Sequence, residues 1–206
     1  MRSRLKFGIV IVGLLIASTS LYVWSIIRSG FSAQDQPSVA ETIIARGVRQ
    51  LAIPRQAREA KNPVESSPKV LAEAMEHFAD HCAICHGNDG KGRTLIGNGL
   101  YPKPPDMTLN ETQRLTDGEL YYIIQNGVRL TGMPAFGEAG NNEPDEESWA
   151  LVSFIRHLPK LTGEEEQQMK AMNPKSPAEL AKEERIRRFL QGDDSPSSEI
   201  NHDHHH

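Results

Sequence analysis

The stretch that decides the fold is "HCAICHGNDGKG", His81 to Gly92, because it holds both cysteines of the chain. Cys82 and Cys85 lie three positions apart, and His86 directly follows the second cysteine. Three kinds of site use such a spacing: a redox-active thiol pair, part of a metal site, and the covalent attachment of a haem. The surrounding sequence has to discriminate among them.

The residues around the cysteines favour haem attachment. A structural zinc ion normally takes four ligands, and the neighbouring side chains of Cys85 and His86 diverge poorly toward one ion. A thioredoxin-like pair lies in a βαβ context, whereas helices are predicted on both sides here. In the pattern C-x-x-C-H, two thiols reach the two vinyl groups of the porphyrin and the next imidazole binds iron. The sequence therefore predicts one haem c, covalently bound through Cys82 and Cys85, with His86 as an iron ligand.

The N-terminus predicts a membrane anchor. Arg2, Arg4 and Lys6 precede 21 uncharged residues, Phe7 to Ile27. As a helix this run is about 30 Å long, which matches the hydrocarbon core of a bilayer. The positive flank should stay in the cytoplasm, so the chain after Arg28 is expected on the periplasmic side. A cleaved signal peptide is the alternative, but its apolar region is usually shorter.

The rest of the chain is divided by composition. Residues 1–28 form the anchor, 29–67 a linker with a short basic helix, 68–162 the folded domain, and 163–206 a polar, largely disordered tail. Apolar residues at helical spacing predict the linker helix over about 40–51. We interpret it as a solvated spacer helix, with docking to anionic lipid or to a partner as the alternative. Five basic residues make the segment positive: Arg46, Arg49, Arg55, Arg58 and Lys61.

Three amphipathic helices are predicted in the folded domain. The first begins after the capping residue Ser67 and leads to the first cysteine. The second runs from Thr116, which starts a capping box, to Gly127. The third runs from about Pro144 to Pro159. No convincing strand pattern is found, so the predicted fold class is all-α.

Three segments of the domain together resemble the class I c-type cytochromes. They are "ADHCAICHGNDGKG", "LTGMPAFG" and "WALVSFIRHLPKL", in that order, and the resemblance covers about Val70 to Leu161. It implies helices wrapped around one covalently bound haem, with an N-terminal helix crossing a C-terminal helix beside the haem edge. Ala74, Phe78 and Phe154 correspond to the small and aromatic residues at that crossing. The family usually has glycine where this chain has Ala74.

The resemblance also implies the second axial ligand. In the family, a methionine followed by proline binds iron opposite the histidine, and it corresponds here to Met133 in "GMPAF". Elimination among the six methionines supports this assignment, since the others are expected outside the domain or in its core. Met107 is the best rival and is expected to pack. Met133 lies 47 residues after His86, far enough for the chain to wrap around the haem.

The stretch "YPKPPDMT", Tyr101 to Thr108, is expected to line the haem edge. By the resemblance, the carbonyl of Pro102 holds the imidazole of the ligand histidine. Tyr101 is a candidate to bond a haem propionate, with a packed surface tyrosine as the alternative. Three further histidines are not assigned to iron: His77, His81 and His157.

These features predict a one-electron carrier and not an enzyme. An iron with both axial positions filled, by His86 and Met133, has no free position for substrate, and methionine raises the reduction potential. The domain has 8 Lys/Arg against 13 Asp/Glu, a net charge of −5, which predicts basic redox partners. The net charge of −4 for the whole chain argues against nucleic acid. The expected protein is a membrane-tethered respiratory carrier or the cytochrome subunit of a membrane oxidoreductase.

Two alternative functions remain open at this stage. If Met133 dissociates from iron, the haem would serve a gas sensor or an enzyme. The C-terminal histidines would suit a metal-handling protein, although a solvated tail explains them as well. These histidines are His202, His204, His205 and His206.

Overall fold

The computed structural model describes residues 2–30, 32–138 and 144–191, and the C-terminal histidines lie outside these ranges. The described residues are helical or irregular, with no strand among them, which confirms the predicted all-α class. The α-helices are α1 (Arg2–Ser29), α2 (Val39–Ala52), α3 (Arg55–Glu59), α4 (Pro68–His77), α5 (Ala83–His86), α6 (Leu95–Asn98), α7 (Asn110–Gln113), α8 (Asp117–Asn126), α9 (Glu146–His157), α10 (Gly163–Met172) and α11 (Pro177–Leu190). A π-helical turn, Phe78–Cys82, joins α4 to α5, and a 3₁₀ turn, Leu158–Lys160, follows α9.

The chain separates into two compact units, Met1–Met172 and Asn173–His206. In the second unit, α11 begins with a capping box in which Ser176 and Glu179 satisfy each other's backbone amides. The first unit contains the other described helices and the whole predicted domain.

The segment Lys6–Arg28 of α1 is 23 residues long and apolar enough to cross a membrane. None of its side chains is buried inside the protein, and large apolar residues such as Leu21 and Trp24 are exposed. These properties suit a membrane-spanning helix, and a signal sequence near an N-terminus shares them.

The hydrophobic core is centred where α4 packs against α9. Ala74, Phe78 and Phe154 are all buried there, and the centroids of the two phenylalanine rings lie 5.0 Å apart. A tilted aromatic pair of this kind is stabilising beyond the area it buries. The structure therefore brings together the three residues that the resemblance places at the helix crossing.

Arg156 of α9 ties α9 to the segment before α8. Its Nε and Nη2 donate to Oδ1 of Asp117 at 3.0 and 2.8 Å. Its Nη1 donates to the carbonyl of Gln113 at 2.7 Å, and Nη2 also donates to the carbonyl of Leu115. One guanidinium thus satisfies carbonyls and a carboxylate at the turn between α7 and α8, which fixes α9 relative to both.

Part of the segment expected to be a solvated linker packs on the domain. The predicted linker helix is present as α2, but Ile53 after it is only 2% exposed. The hydroxyl of Thr116 donates to the carbonyl of Arg58 at 2.9 Å, and Nδ2 of Asn62 donates to the carbonyl of Trp149 at 2.9 Å. Sequence periodicity misses these contacts because backbone carbonyls and a single amide make them.

Residues 163–172 also differ from the disordered tail that composition suggested. They form α10, which packs on α4 and on the π-helical turn, and Met169 is fully buried in the core. Nε2 of His157 and Oε1 of Glu165 lie 2.9 Å apart beside this helix. The apolar residues of this polar helix, Met169, Ala171 and Met172, are crowded at its end and give no amphipathic pattern, so the sequence did not reveal the packing. The predicted domain boundaries themselves stay predictions.

Gly118 in α8 sets how closely α3 can approach, and its replacement tests this packing. A β-carbon at Gly118 would lie 1.8 Å from the carbonyl oxygen of Ala57 and 2.9 Å from that of Ala60. Alanine is ordinarily more stable than glycine in a helix by about 1 kcal/mol. We expect the reverse for Gly118→Ala, a loss of about 1–3 kcal/mol in the free energy of unfolding, because α3 must move.

The matched control for this variant is Gly163→Ala, where a β-carbon would meet nothing within 4 Å. Denaturant titration of the full-length protein should show that this control keeps the parent's stability. Equal stability of the two variants would mean that α3 does not pack on α8.

Candidate haem site

Cys82, Cys85 and His86 lie together where the π-helical turn passes into α5. Cys82 is the last residue of that turn, and Cys85 and His86 are the last two residues of α5. All three side chains are half-buried, and both cysteines are free thiols. The helix ends at Gly87, whose φ of +73° favours glycine. π-helical turns are rare and occur often at functional sites.

Burial shifts the pKa of each of these three groups in the direction that favours its neutral form. Desolvation raises the pKa of the Cys82 thiol to about 12, with a contribution from Cys85, and it also raises the pKa of Cys85. Desolvation lowers the pKa of His86 to about 4. A neutral imidazole is the form that binds a metal, whereas a redox-active thiol needs a lowered pKa. The directions therefore suit an iron ligand at His86 and do not suit a reactive thiol pair.

The described residues give no support for a zinc site. No group of three or more His, Cys, Asp or Glu side chains among them converges in a way that would hold a metal ion. The histidines that the sequence analysis left unassigned have carboxylate neighbours instead. Nδ1 of His77 lies 3.5 Å from Glu147, and Nδ1 of His81 lies 3.1 Å from Asp80.

The Nδ1 atom of His86 is buried and has no hydrogen-bond partner among the described residues. Leaving a buried polar atom unpaired costs about 1–3 kcal/mol, so such an atom marks a functional position. The backbone beside it is satisfied, since the amide of Gly92 donates to the carbonyl of His86 at 2.7 Å. The predicted acceptor, the carbonyl of Pro102, makes no such bond here, and its role stays a prediction.

Thr94 fixes residues 82–86, which we term the cysteine turn, on α6. Its hydroxyl lies 2.8 Å from the carbonyl oxygen of Ile84 and 3.2 Å from that of Cys85, and it accepts the amide of Gly97 at 2.8 Å. A β-carbon at Gly97 would lie 2.5 Å from the carbonyl oxygen of Cys85. The backbone of α6 therefore packs directly on the cysteine turn. The sequence carries no signal for this role, because a threonine three residues before a glycine is common.

Met133 lies in a loop that backbone contacts hold against the end of α8. The amide of Val128 donates to the carbonyl of Met133, and the amide of Met133 donates to Oγ1 of Thr131, both at 3.1 Å. Gly127, with a φ of +63°, lets the loop approach. A β-carbon there would lie 2.7 Å from the carbonyl oxygen of Met133 and 2.6 Å from the carbonyl carbon of Pro134.

Leu100 lies beside the Met133 loop. It follows α6 in the chain, and a β-carbon at Gly132 would lie 2.6 Å from its Cδ2. Since α6 packs on α5, the loop of Met133 and the turn of His86 adjoin the same segment. Most other described methionines are placed elsewhere. Met75, Met107 and Met169 lie in the core, whereas Met133 is half-buried.

Exposed apolar side chains follow these same segments. They lie on α5, on α6 and in the Met133 loop, and are Ile84 (56% exposed), Leu95 (92%), Ile96 (47%), Leu130 (93%) and Phe136 (39%). Exposed apolar side chains gathered on neighbouring segments often mark a binding site. Beside it lie two free thiols and one imidazole with an unpaired nitrogen. These residues fit a large, flat, apolar group with a metal centre, and a haem has this chemistry.

Tyr101 lies at the edge of this region beside α2. Burial raises the pKa of its hydroxyl, and the neighbouring Glu41 carboxylate raises it further. Lys103, two residues further along the loop, reaches the segment before α2, since its Nζ lies 3.3 Å from the carbonyl oxygen of Gln34 and 3.1 Å from that of Asn98. The expected role of Tyr101 toward a haem propionate stays a prediction.

Comparison with known protein families supports the resemblance found in the sequence. Residues 70–155 match the family model described as "Cytochrome C oxidase, cbb3-type, subunit III". The match covers less than half of the chain, but it includes both cysteines, His86 and Met133. This part of the chain is a c-type cytochrome domain, as predicted, and such a domain implies haem c. None of the curated proteins compared with the chain matches it.

The close approach at Gly127 leads to a testable expectation for the Met133 loop. We expect Gly127→Ala to lower the free energy of unfolding by about 1–3 kcal/mol, because a β-carbon would strain a positive φ and contact the loop backbone. Gly99→Ala is the control, since its φ is −89° and its nearest contact would be 3.4 Å from the carbonyl oxygen of Ile96. Denaturant titrations that give equal stability for both variants would contradict the close packing.

Proposed function

We propose that this protein is a membrane-tethered one-electron carrier, or the cytochrome subunit of a membrane oxidoreductase. Its haem c would be bound covalently to Cys82 and Cys85, with His86 and Met133 as axial ligands. One observation carries the proposal. Two free thiols and an imidazole with an unpaired nitrogen share one short turn, inside the segment that matches a c-type cytochrome family. When bound, the haem supplies the one-electron chemistry, because its iron alternates between the ferric and ferrous states.

The chain's own residues have distinct tasks in this proposal. The packing of Thr94 and Gly97 on the cysteine turn holds the backbone that carries both anchoring thiols. The low pKa of His86 keeps its imidazole neutral and available as a ligand at physiological pH. The loop held by Gly127 presents the thioether of Met133, a weak donor that favours ferrous iron. If His86 and Met133 both bind the iron, no position on it would be free for substrate, which favours electron transfer over catalysis.

The membrane tether rests on α1. The segment Lys6–Arg28 is long enough to span a bilayer, and its basic N-terminal flank favours a cytoplasmic start. The haem domain would then lie on the periplasmic side, where attachment of this kind takes place. The oxidoreductase-subunit version draws support from the matched family, whose printed description is of an oxidase subunit. The domain's net charge of −5 favours basic surfaces on redox partners.

Replacing methionines one at a time tests the axial ligand. We expect Met133→Leu to remove the six-coordinate His/Met spectrum, to lower the reduction potential and to let the reduced protein bind carbon monoxide, because iron loses a ligand. Met107→Leu is the control, since it conserves the volume of a buried side chain and should keep the parent spectrum. If Met107→Leu gives the five-coordinate spectrum instead, Met133 is not the ligand. A parent protein that binds carbon monoxide readily would point to a sensor or an enzyme.

Replacing the cysteines tests the covalent attachment. We expect haem to remain with the parent polypeptide after denaturation and acidic solvent extraction, and to be visible as added mass on the intact chain. The double variant Cys82→Ala, Cys85→Ala should release its haem under the same treatment, because no thioether can form. Haem that is extracted equally from parent and variant would refute covalent binding.

A further inference from the structure

Helix α2 presents its apolar side outward and its polar side toward the cytochrome domain. Five residues form what we term the apolar stripe: Val39 (77% exposed), Ile43 (66%), Ile44 (65%), Val48 (59%) and Leu51 (83%). At about 100° per residue, Arg49 lies on the opposite side of the helix. Arg49 is half-buried and lies close enough to Glu119 of α8 to interact with it electrostatically. An amphipathic helix on a water-soluble domain ordinarily shows the reverse arrangement.

The outward stripe is a stable feature of the helix. A capping box fixes the start of α2, in which the amide of Glu41 donates to the hydroxyl of Ser38 and the amide of Ser38 donates to the carboxylate of Glu41. The far end is also fixed, because Ile53 is buried and Arg58 donates to its carbonyl. The helix cannot simply roll over to bury the stripe while these contacts persist. Exposed apolar surface of this extent marks an interaction surface.

We propose that the apolar stripe of α2 lies in the surface of the membrane that holds α1, with its basic neighbours at anionic lipid headgroups. This inference rests on the proposed membrane tether. Nine residues separate the end of α1 at Ser29 from the start of α2 at Val39. Fully extended they reach roughly 30 Å, so α2 begins close to the membrane surface. A helix that shows its apolar side to lipid and its polar side away from lipid is typical of an interfacial helix.

The positive charge around α2 favours anionic lipid as the partner of the stripe. Residues 39–61 carry five Lys/Arg against two Asp/Glu, a net charge of +3, whereas the chain as a whole has a net charge of −4. Arg49 and Arg58 contact the protein, and the exposed basic residues are Arg46, Arg55 and Lys61. Basic residues beside an apolar helix face attract anionic headgroups, and their long stems let them reach the headgroup layer. Arg46 borders the stripe and is exposed, so its guanidinium is free to do so.

Insertion of α2 would also hold the haem domain at the membrane. The first turn of α2 and the segment before it contact the loop beside the candidate haem site, through Glu41 with Tyr101 and Gln34 with Lys103. With α2 in the surface, this loop stays near the bilayer, and the domain does not swing on a free tether. The geometry suits electron exchange with a membrane-embedded partner.

Nitroxide labels on opposite sides of α2 test the inference. Ile43→Cys and Ala45→Cys lie two residues apart and project about 200° from each other around the helix. Each variant is labelled as the full-length, haem-loaded protein, in which the native thiols are already consumed. It is then placed in vesicles of phosphatidylcholine with phosphatidylglycerol. We expect the label at 43 to collide several-fold more with oxygen, which partitions into lipid, than with a water-soluble nickel complex. The label at 45 should show the opposite preference.

The outcomes separate this inference from the proposed function. If alkaline carbonate extracts the protein from vesicles, α1 is not a tether and the proposed function fails in that part. If the protein stays anchored but the label at 43 is as accessible to the nickel complex as the label at 45, only the lipid-docking inference is overturned, and the stripe is left for a protein partner. Spin–spin broadening at 43 that grows with the protein-to-lipid ratio would overturn it in favour of a second copy of the chain.

A stripe variant completes the test. In the variant Ile44→Asn, Val48→Asn, Leu51→Asn, the label at 43 should lose its oxygen preference while the thermal unfolding midpoint in detergent stays unchanged, because these side chains are exposed. The control changes three exposed apolar residues of α11: Leu180→Asn, Ile186→Asn and Leu190→Asn. It should keep the oxygen preference. Loss of the preference in both variants would mean that the stripe has no special role.

Discussion

The contact between Phe78 and Phe154 is the interaction on which the site depends. Phe78 ends the packing of α4 on α9 and is also the first residue of the π-helical turn that ends at Cys82. Because both rings are buried in the same cluster, the start of that turn has a fixed position relative to α9. The two thiols and the imidazole of His86 follow within nine residues of Phe78 along the chain. The packed core thus fixes the position of the candidate haem site.

Backbone contacts at glycine, more than side-chain pairs, assemble the remainder of the site. Gly97 lets α6 pack on the carbonyl of Cys85, and Gly127 lets the Met133 loop pack on the end of α8. Leu100, which follows α6 in the chain, lies beside Gly132 of the Met133 loop. A surface formed in this way is open and apolar, which suits the binding of a large planar group such as a haem.

The segment before the domain does more than act as a spacer. Asn62 and the carbonyl of Arg58 fasten the chain to α9 and α8, whereas the apolar stripe of α2 faces outward. A carrier held by one flexible tether samples many orientations. One held by a tether and an interfacial helix presents a fixed side to partners in the same membrane, which raises the effective concentration of that side.

The sequence by itself determined the class of protein and most of its longer helices, whereas the short helices α3, α5, α6 and α7 were not predicted. Capping residues and apolar spacing are local signals, so Ser67, Thr116 and Gly127 marked real helix ends, and the motif around Cys82 indicated a c-type cytochrome domain. The tertiary structure alone decided that Met169 enters the core, that Asn62 fastens the linker and that Nδ1 of His86 is buried without a partner. These contacts join residues far apart in the chain, through backbone carbonyls or single side chains that leave no periodic trace in the sequence.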